Sequence, residues 1–179
     1  MRIEAVIGDI TTQEADAVVN AANSTLLGGG GVDGAIHRAA GPRLLEACRR
    51  LRATDLPEGL PVGQAVATPA FDLPARWVIH TVGPNRHAGQ DDPALLRAAF
   101  DSSLALAAEL GCRIVALPAI SAGAFGWPLP DVARTAVDSA RAIAQSPTTA
   151  PPSAGRMDLI RFVLNSQHTH AAFQRELES

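Results

Sequence analysis

Short apolar runs bounded by Gly, Pro or Asn recur along the chain and predict six strands: Ile3 to Ile7, Ala17 to Val19, Ala65 to Thr68, Trp77 to Val82, Ile114 to Leu117 and Leu159 to Leu164. Between them lie segments with helical period, Ala35 to Ala40, Pro42 to Leu51, Pro93 to Leu110, Asp131 to Ala144 and Thr169 to Leu177, with Pro42 and Pro93 placed for a first helical turn. Strands that alternate with helices imply a mostly parallel sheet covered on both faces, which is the α/β class in a three-layer α/β/α sandwich. One low-complexity piece, Thr148 to Gly155, reads as a surface loop before the last strand.

A chain of 179 residues fits one domain, 1–179, and its 47% hydrophobic content is globular. No apolar stretch is long enough to span a membrane, and Glu4 interrupts the opening run, so that run reads as a strand; a cytoplasmic address is the expectation. All fifteen basic residues are arginine, and there is no tyrosine. A phosphate loop built on lysine and Schiff-base chemistry both drop out. With a net charge of −3, the run Arg49-Arg50-Leu51-Arg52 reads as a solvated helix end whose cations offset the macrodipole, and no nucleic acid is called for. Cys48 and Cys112 stand alone and read as reduced structural thiols. The absence of a Cys/His cluster argues against a metal, and no cofactor is expected.

Two segments are too glycine-rich for packing alone: Leu27-Gly28-Gly29-Gly30-Gly31-Val32-Asp33-Gly34 and Ile120-Ser121-Ala122-Gly123-Ala124-Phe125-Gly126-Trp127-Pro128. Each follows a strand and leads towards a helix, where glycine lets backbone N–H groups approach oxyanions, and two such loops suit a diphosphate. Gly29-x-Gly31-x-x-Gly34 formally matches the dinucleotide-binding fingerprint. However, Ala21 to Leu27 separate it from the strand, and Asp55 is not at a strand end, so a dehydrogenase is disfavoured. Asp33 falls at or just before the start of a helix expected near Gly34, with His37 one turn along the same face. A carboxylate there suits a base or water-orienting group, although from position alone a plain N-cap is the favoured reading. Asn20 is expected to satisfy local backbone groups, and Asn23, nearer the glycines, to reach sugar hydroxyls. Asp9, where the first strand opens, is placed to accept from an exocyclic amine or to serve as a turn residue.

Gly8-Asp9-Ile10-Thr11, Val19-Asn20-Ala21-Ala22-Asn23, Gly28 to Gly34 with Ala35 to Pro42, His80-Thr81-Val82-Gly83-Pro84 and Pro118 to Gly123 together resemble a macrodomain. They are similar to the MacroD-type branch, which includes bacterial O-acetyl-ADP-ribose deacetylases. The resemblance runs from residue 3 to about residue 177. It implies a six-stranded mixed sheet with ADP-ribose across the strand ends. Asp9 would hold the adenine amine beside the Ile10 backbone. Gly30, Gly31, Val32 and Ser121, Ala122, Gly123, Ala124 and Phe125 would line the phosphates and the distal ribose, with Asn20 and Asn23 contributing and Phe125 against the sugar. Asp33 would be the principal catalytic residue, assisted by Asn23 and His37.

The chain departs from that pattern at Ala122, Phe125 and Trp127, where relatives carry hydroxyls, at Asn85-Arg86, where an aromatic is usual, and at Asn165-Ser166, near the adenine. The expected activity is hydrolysis of esters joining ADP-ribose to acetate or to an acidic protein side chain. The partners are then O-acetyl-ADP-ribose or an ADP-ribosylated protein, without nucleic acid or membrane, and a monomer is expected. The alternative is a non-catalytic ADP-ribose reader, which has no need of Asp33.

Overall fold

The computed structural model describes residues 1–146 and 156–179; the expected loop from Thr148 to Gly155 lies outside the described residues. Its strands are β1 (Arg2–Ile7), β2 (Ala17–Ala21), β3 (Ala65–Pro69), β4 (Trp77–Thr81), β5 (Ile114–Leu117) and β6 (Leu159–Leu164), in the order β1-β6-β5-β2-β4-β3. All neighbours are parallel except the β3–β4 hairpin. The helices are α1 (Gly31–Ala40), α2 (Pro42–Ala53), α3 (Pro93–Glu109), α4 (Leu129–Gln145) and α5 (Gln167–Glu178).

Side-chain alternation along β2 separates the layers. Ala17 and Val19 pack with Phe100 of α3, Val132 of α4 and Phe173 of α5, whereas Val18 packs with Ile36 of α1 and Leu44 of α2. The mixed sheet therefore lies between α1–α2 and α3–α4–α5, as the alternation of strands and helices predicts. No helix among the described residues is long and apolar enough to cross a membrane.

The chain leaves β2 for β3 and β4 on one side of the sheet and returns to β5 on the other. This reversal makes the carboxyl ends of β2 and β5 the switch point where ligands bind in open α/β sheets. Registered pairs between the two strands cover only Ala17↔Val115 and Val18↔Ala116, while β2 pairs with β4 as far as Ala21↔Thr81. The loops leaving β2 and β5 contain the two glycine-rich segments.

The structure differs from the sequence pattern most at α1, which begins at Gly31 and not near Gly34 or Ala35. Glycine is a poor helix former and carries no apolar periodicity, so the first turn is invisible to pattern. Tertiary contact fixes it: a Cβ at Gly34 would meet the Gly29 carbonyl oxygen at 2.5 Å. Two short 3₁₀ turns, Ile10–Thr12 and Arg86–Ala88, capped by the side chains of Asp9 and Asn85, are likewise too brief to carry a period. Gly34→Ala should cost about 1–3 kcal/mol, the usual range for overpacking, although alanine is the better helix former. Urea denaturation measures this, and an unchanged or raised stability would contradict the close backbone approach.

Candidate functional site

Asn20 and His80 stand side by side in the register of β2 and β4 and face the α1–α2 layer. Asn20 Nδ2 donates to Asp33 Oδ1 at 2.8 Å, across 13 residues of sequence, and lies 3.2 Å from His80 Nδ1. Thr68 Oγ1 is 3.0 Å from His80 Nε2, and the Cys48 thiol approaches the same nitrogen at 3.9 Å. Asn20, His80 and Thr68 are buried, and Asp33 is 5% exposed. Burial, reinforced by the nearby His37, pushes the His80 pKa down to about 3, so the ring is neutral at physiological pH. Burial, with Asp33 adding to it, pushes the Cys48 thiol up to about 11.

Asp33 is the third residue of α1 and not its cap; the N-cap is Gly30, which makes no side-chain capping bond. The plain N-cap explanation of Asp33 is therefore overturned, because its Oδ1 is taken by an amide from the sheet. Its Oδ2 faces the glycine segment: a Cβ at Gly29 would lie 3.2 Å from Asp33 Oδ2 and 3.4 Å from Asn23 Nδ2. His37 Nε2 lies 3.4 Å from Asp33 Oδ1 but makes no hydrogen bond there.

Asn20 also departs from expectation. Its amide serves side chains and not local backbone, and its complete burial removes it from direct ligand contact. Asn23 holds its own loop, accepting from the N–H of Thr25 at 3.0 Å and from the Thr25 hydroxyl and donating to Gly28 O at 3.1 Å. One amide hydrogen of Asn23 remains beside Gly29. Arg52 ties this loop through Thr25 O at 2.9 Å and also holds Leu56 O and Pro57 O, so within the arginine run Arg49 and Arg50 are exposed at the helix end while half-buried Arg52 braces loops.

The first intrahelical bond of α1 runs from Gly34 N to Gly30 O, leaving the N–H groups of Gly31, Val32 and Asp33 at an open helix end. A Cβ at Gly30, Gly31 or Gly123 would meet no atom within 4 Å, so both glycine segments border free space. The second segment is closed by Trp127 N–H to Ser121 O and Gly126 N–H to Gly123 O, both 3.1 Å. Ser121 there takes a left-handed φ of 67° and has a buried hydroxyl without a partner. Its contact with Gly83 leaves no room for a Cβ at that residue.

Among known proteins, the Macro domain family model matches residues 19–136. This chain belongs to the macrodomain family. It is 54% identical over 175 residues to a macro domain-containing protein of Streptomyces nogalater, covering 98% of this chain and 91% of that one. A protein named O-acetyl-ADP-ribose deacetylase from Enterobacter cloacae is 51% identical over 139 residues, 77% of this chain and 76% of that one. The Oceanobacillus iheyensis macrodomain solved with ADP superposes with a TM-score of 0.89 at 38% identity, over 98% of this chain and 90% of that one.

Just after β1, two Thr11 donors, hydroxyl first and then backbone, hold the exposed Asp9 carboxyl below its usual range, against a small opposing effect of desolvation. The Ile10 side chain is buried and Asn165 is exposed at the end of β6. Phe162 and Phe173, on β6 and α5, are buried and pack on each other in the core at 5.0 Å between centroids. Asn85 Oδ1 caps the following turn, and the backbone N–H at 86, which any non-proline residue would supply, donates to Phe125 O at 2.8 Å. Both cysteines are buried and free, and among the described residues no group of three or more His, Cys, Asp or Glu could hold a metal.

His80, Thr68 and Cys48 did not stand out as functional in the sequence. The available signal was one histidine inside the apolar run Trp77 to Val82, on the inward alternation. Because the folded His80 pKa is about 3 against 6.5 for a free histidine, the unfolded chain binds the extra proton between those values. Stability is therefore complete above about pH 6.5 and falls as the pH drops, by up to about 1.4 kcal/mol per unit. Urea denaturation at pH 7 and 5.5 should differ by on the order of 1 kcal/mol. A His80→Phe variant should lose that part of the slope, and an identical slope would contradict the buried neutral imidazole.

Proposed function

We propose that this macrodomain binds ADP-ribose across the two glycine segments and hydrolyses esters that join ADP-ribose to acetate or to an acidic protein side chain. The observation that carries the reading is Asp33. It is a nearly buried carboxyl with one oxygen held by Asn20 and the other turned towards Gly29, Asn23 and the open helix end. A module that only binds has no need of such a group there. The relative named O-acetyl-ADP-ribose deacetylase and the relative solved with ADP supply the substrate class.

In this mechanism the N–H groups of Gly31 and Val32 and the Ser121 to Phe125 segment hold the diphosphate, with Gly30 leaving room for its approach. This fixes the ester near Asp33, and orientation supplies much of the rate. Asn23 donates its remaining amide hydrogen to the distal ribose, and Phe125 packs on that sugar. A water held between the phosphates and Asp33 Oδ2 attacks the ester. Its oxygen bonds the electrophilic carbon, the C–O bond breaks, and its proton passes through Asp33 to the departing oxygen, giving ADP-ribose and a carboxylic acid. At the other end of the ligand, Asp9 accepts from the adenine amine beside the Ile10 backbone, and Asn165 lies at the rim. His37, against Asp33 Oδ1, limits the motion of the carboxyl.

Incubation with O-acetyl-ADP-ribose and with mono-ADP-ribosylated protein should release ADP-ribose. Asp33→Ala should cut that turnover about 10² to 10⁴-fold while ADP-ribose affinity, read by calorimetry, changes far less. Wild-type turnover by a folded Asp33→Ala protein would reject the hydrolase mechanism. Gly123→Val should instead abolish binding, by filling the open space beside the backbone. Retained affinity in that variant, correctly folded, would reject the diphosphate cradle.

A further inference from the structure

We propose that His80 is a positioning residue that acts through Asn20, using a fixed Nε2–H tautomer to lock the Asn20 amide and thereby the orientation of the Asp33 carboxyl. The inference rests on the reading of Asp33 as the reactive group and goes beyond it, because His80 touches neither Asp33 nor the crevice.

The argument follows the donors and acceptors. A carboxylate oxygen only accepts, so the Asn20 atom 2.8 Å from Asp33 Oδ1 is the amide nitrogen. That nitrogen carries a second hydrogen, and the group it meets at 3.2 Å is His80 Nδ1. Nδ1 must therefore accept, which puts the ring proton on Nε2. Nε2 has Thr68 Oγ1 at 3.0 Å to receive it. The Asn20 amide thus selects the tautomer, Thr68 accommodates it by accepting from Nε2–H, and Nδ1 uses the one amide hydrogen that Asp33 does not. Asn20 Oδ1 is buried without a partner, so these two bonds are what set the amide plane.

A merely space-filling histidine would not need this pattern. Burial and the neighbouring His37 keep His80 neutral, so its Nδ1 remains an acceptor throughout the neutral range. The register pairs Asn20↔His80 and Val66↔His80, with Thr68↔Val78 beside them, carry the three side chains on rigid strands. Released from Nδ1, the amide could rotate towards its unpartnered oxygen's needs and Asp33 Oδ1 would lose its fixed donor. Misplacement of a reacting group by about 1 Å costs about a hundredfold in rate.

The test compares His80→Phe, His80→Asn and His80→Gln in the full chain, with kcat and KM for ester turnover and calorimetric ADP-ribose affinity as readouts. The phenylalanine removes the acceptor and should lower kcat about 10- to 100-fold with affinity unchanged. Asparagine places an amide oxygen near the position of Nδ1 and should recover most of kcat. Glutamine reaches the Nε2 position and Thr68, not Asn20, and should not. Equal loss of kcat and affinity in all three, or wild-type kcat in folded His80→Phe, would overturn the proposal. Should His80→Phe fail to fold, the ¹⁵N ring signals of the wild-type protein decide the matter: a protonated Nδ1 overturns the proposal and an unprotonated Nδ1 with Nε2–H supports it. Asp33→Ala is the reference arm. If it retains turnover, the hydrolase reading fails; if it is inactive while His80→Phe is fully active, only this inference fails.

Discussion

A carboxyl group placed under a helix and against a sheet must be given donors, because an unpaired buried charge costs several kcal/mol. The Asn20–Asp33 hydrogen bond meets that requirement and joins the end of β2 to the first turn of α1. Much of the local structure follows from it. To bring Asp33 over the sheet, α1 must start at Gly31, and its first turn must slide under the Gly29 carbonyl, which only glycine at position 34 permits. The same docking leaves the open N–H groups of Gly31 and Val32 beside the second oxygen of Asp33. One buried contact therefore sets both the open helix end and the carboxyl orientation on which the proposed function rests.

The elements were largely legible in the sequence because each strand is a short apolar run with turn residues at its ends, and Pro42 and Pro93 do open α2 and α3. The start of α1 was not, since Gly31 and Gly34 suppress the helical signal and the helix is fixed there by contacts with Gly29. Asp33 could be picked out as a candidate from its place after the glycines, but its partner could not. Asn20 is 13 residues away from Asp33 and 60 from His80 in sequence, and only the register of β2 with β4 brings the three together. Thr68 joins through the β3–β4 hairpin, a further step that pattern does not reveal.

The departures from the family pattern divide by what surrounds them. Asn85 has a structural use, since its side chain caps the following 3₁₀ turn, whereas the bond to the Phe125 carbonyl comes from the backbone N–H at 86 and owes nothing to the arginine side chain. Asn165 is exposed at the end of β6, and Phe162 and Phe173 are committed to the core. On the proposed function, the adenine end rests mainly on Asp9 and its turn, and the second glycine segment lacks the hydroxyls that relatives carry at Ala122, Phe125 and Trp127. Binding made equally in ground and transition states does not lower the chemical barrier, so a leaner adenine end affects affinity and leaves the reaction centre alone.

The most direct test of this account is a crystal structure of the wild-type protein with ADP-ribose. The account expects the diphosphate against the N–H groups of Gly31 and Val32 and the Ser121 to Phe125 segment, with Asp33 Oδ1 still bonded to Asn20. It also expects a water within hydrogen-bond reach of Asp33 Oδ2, on the side of the distal ribose. A ligand seated away from the glycine segments, or an Asp33 turned wholly into the protein with no water at Oδ2, would contradict it.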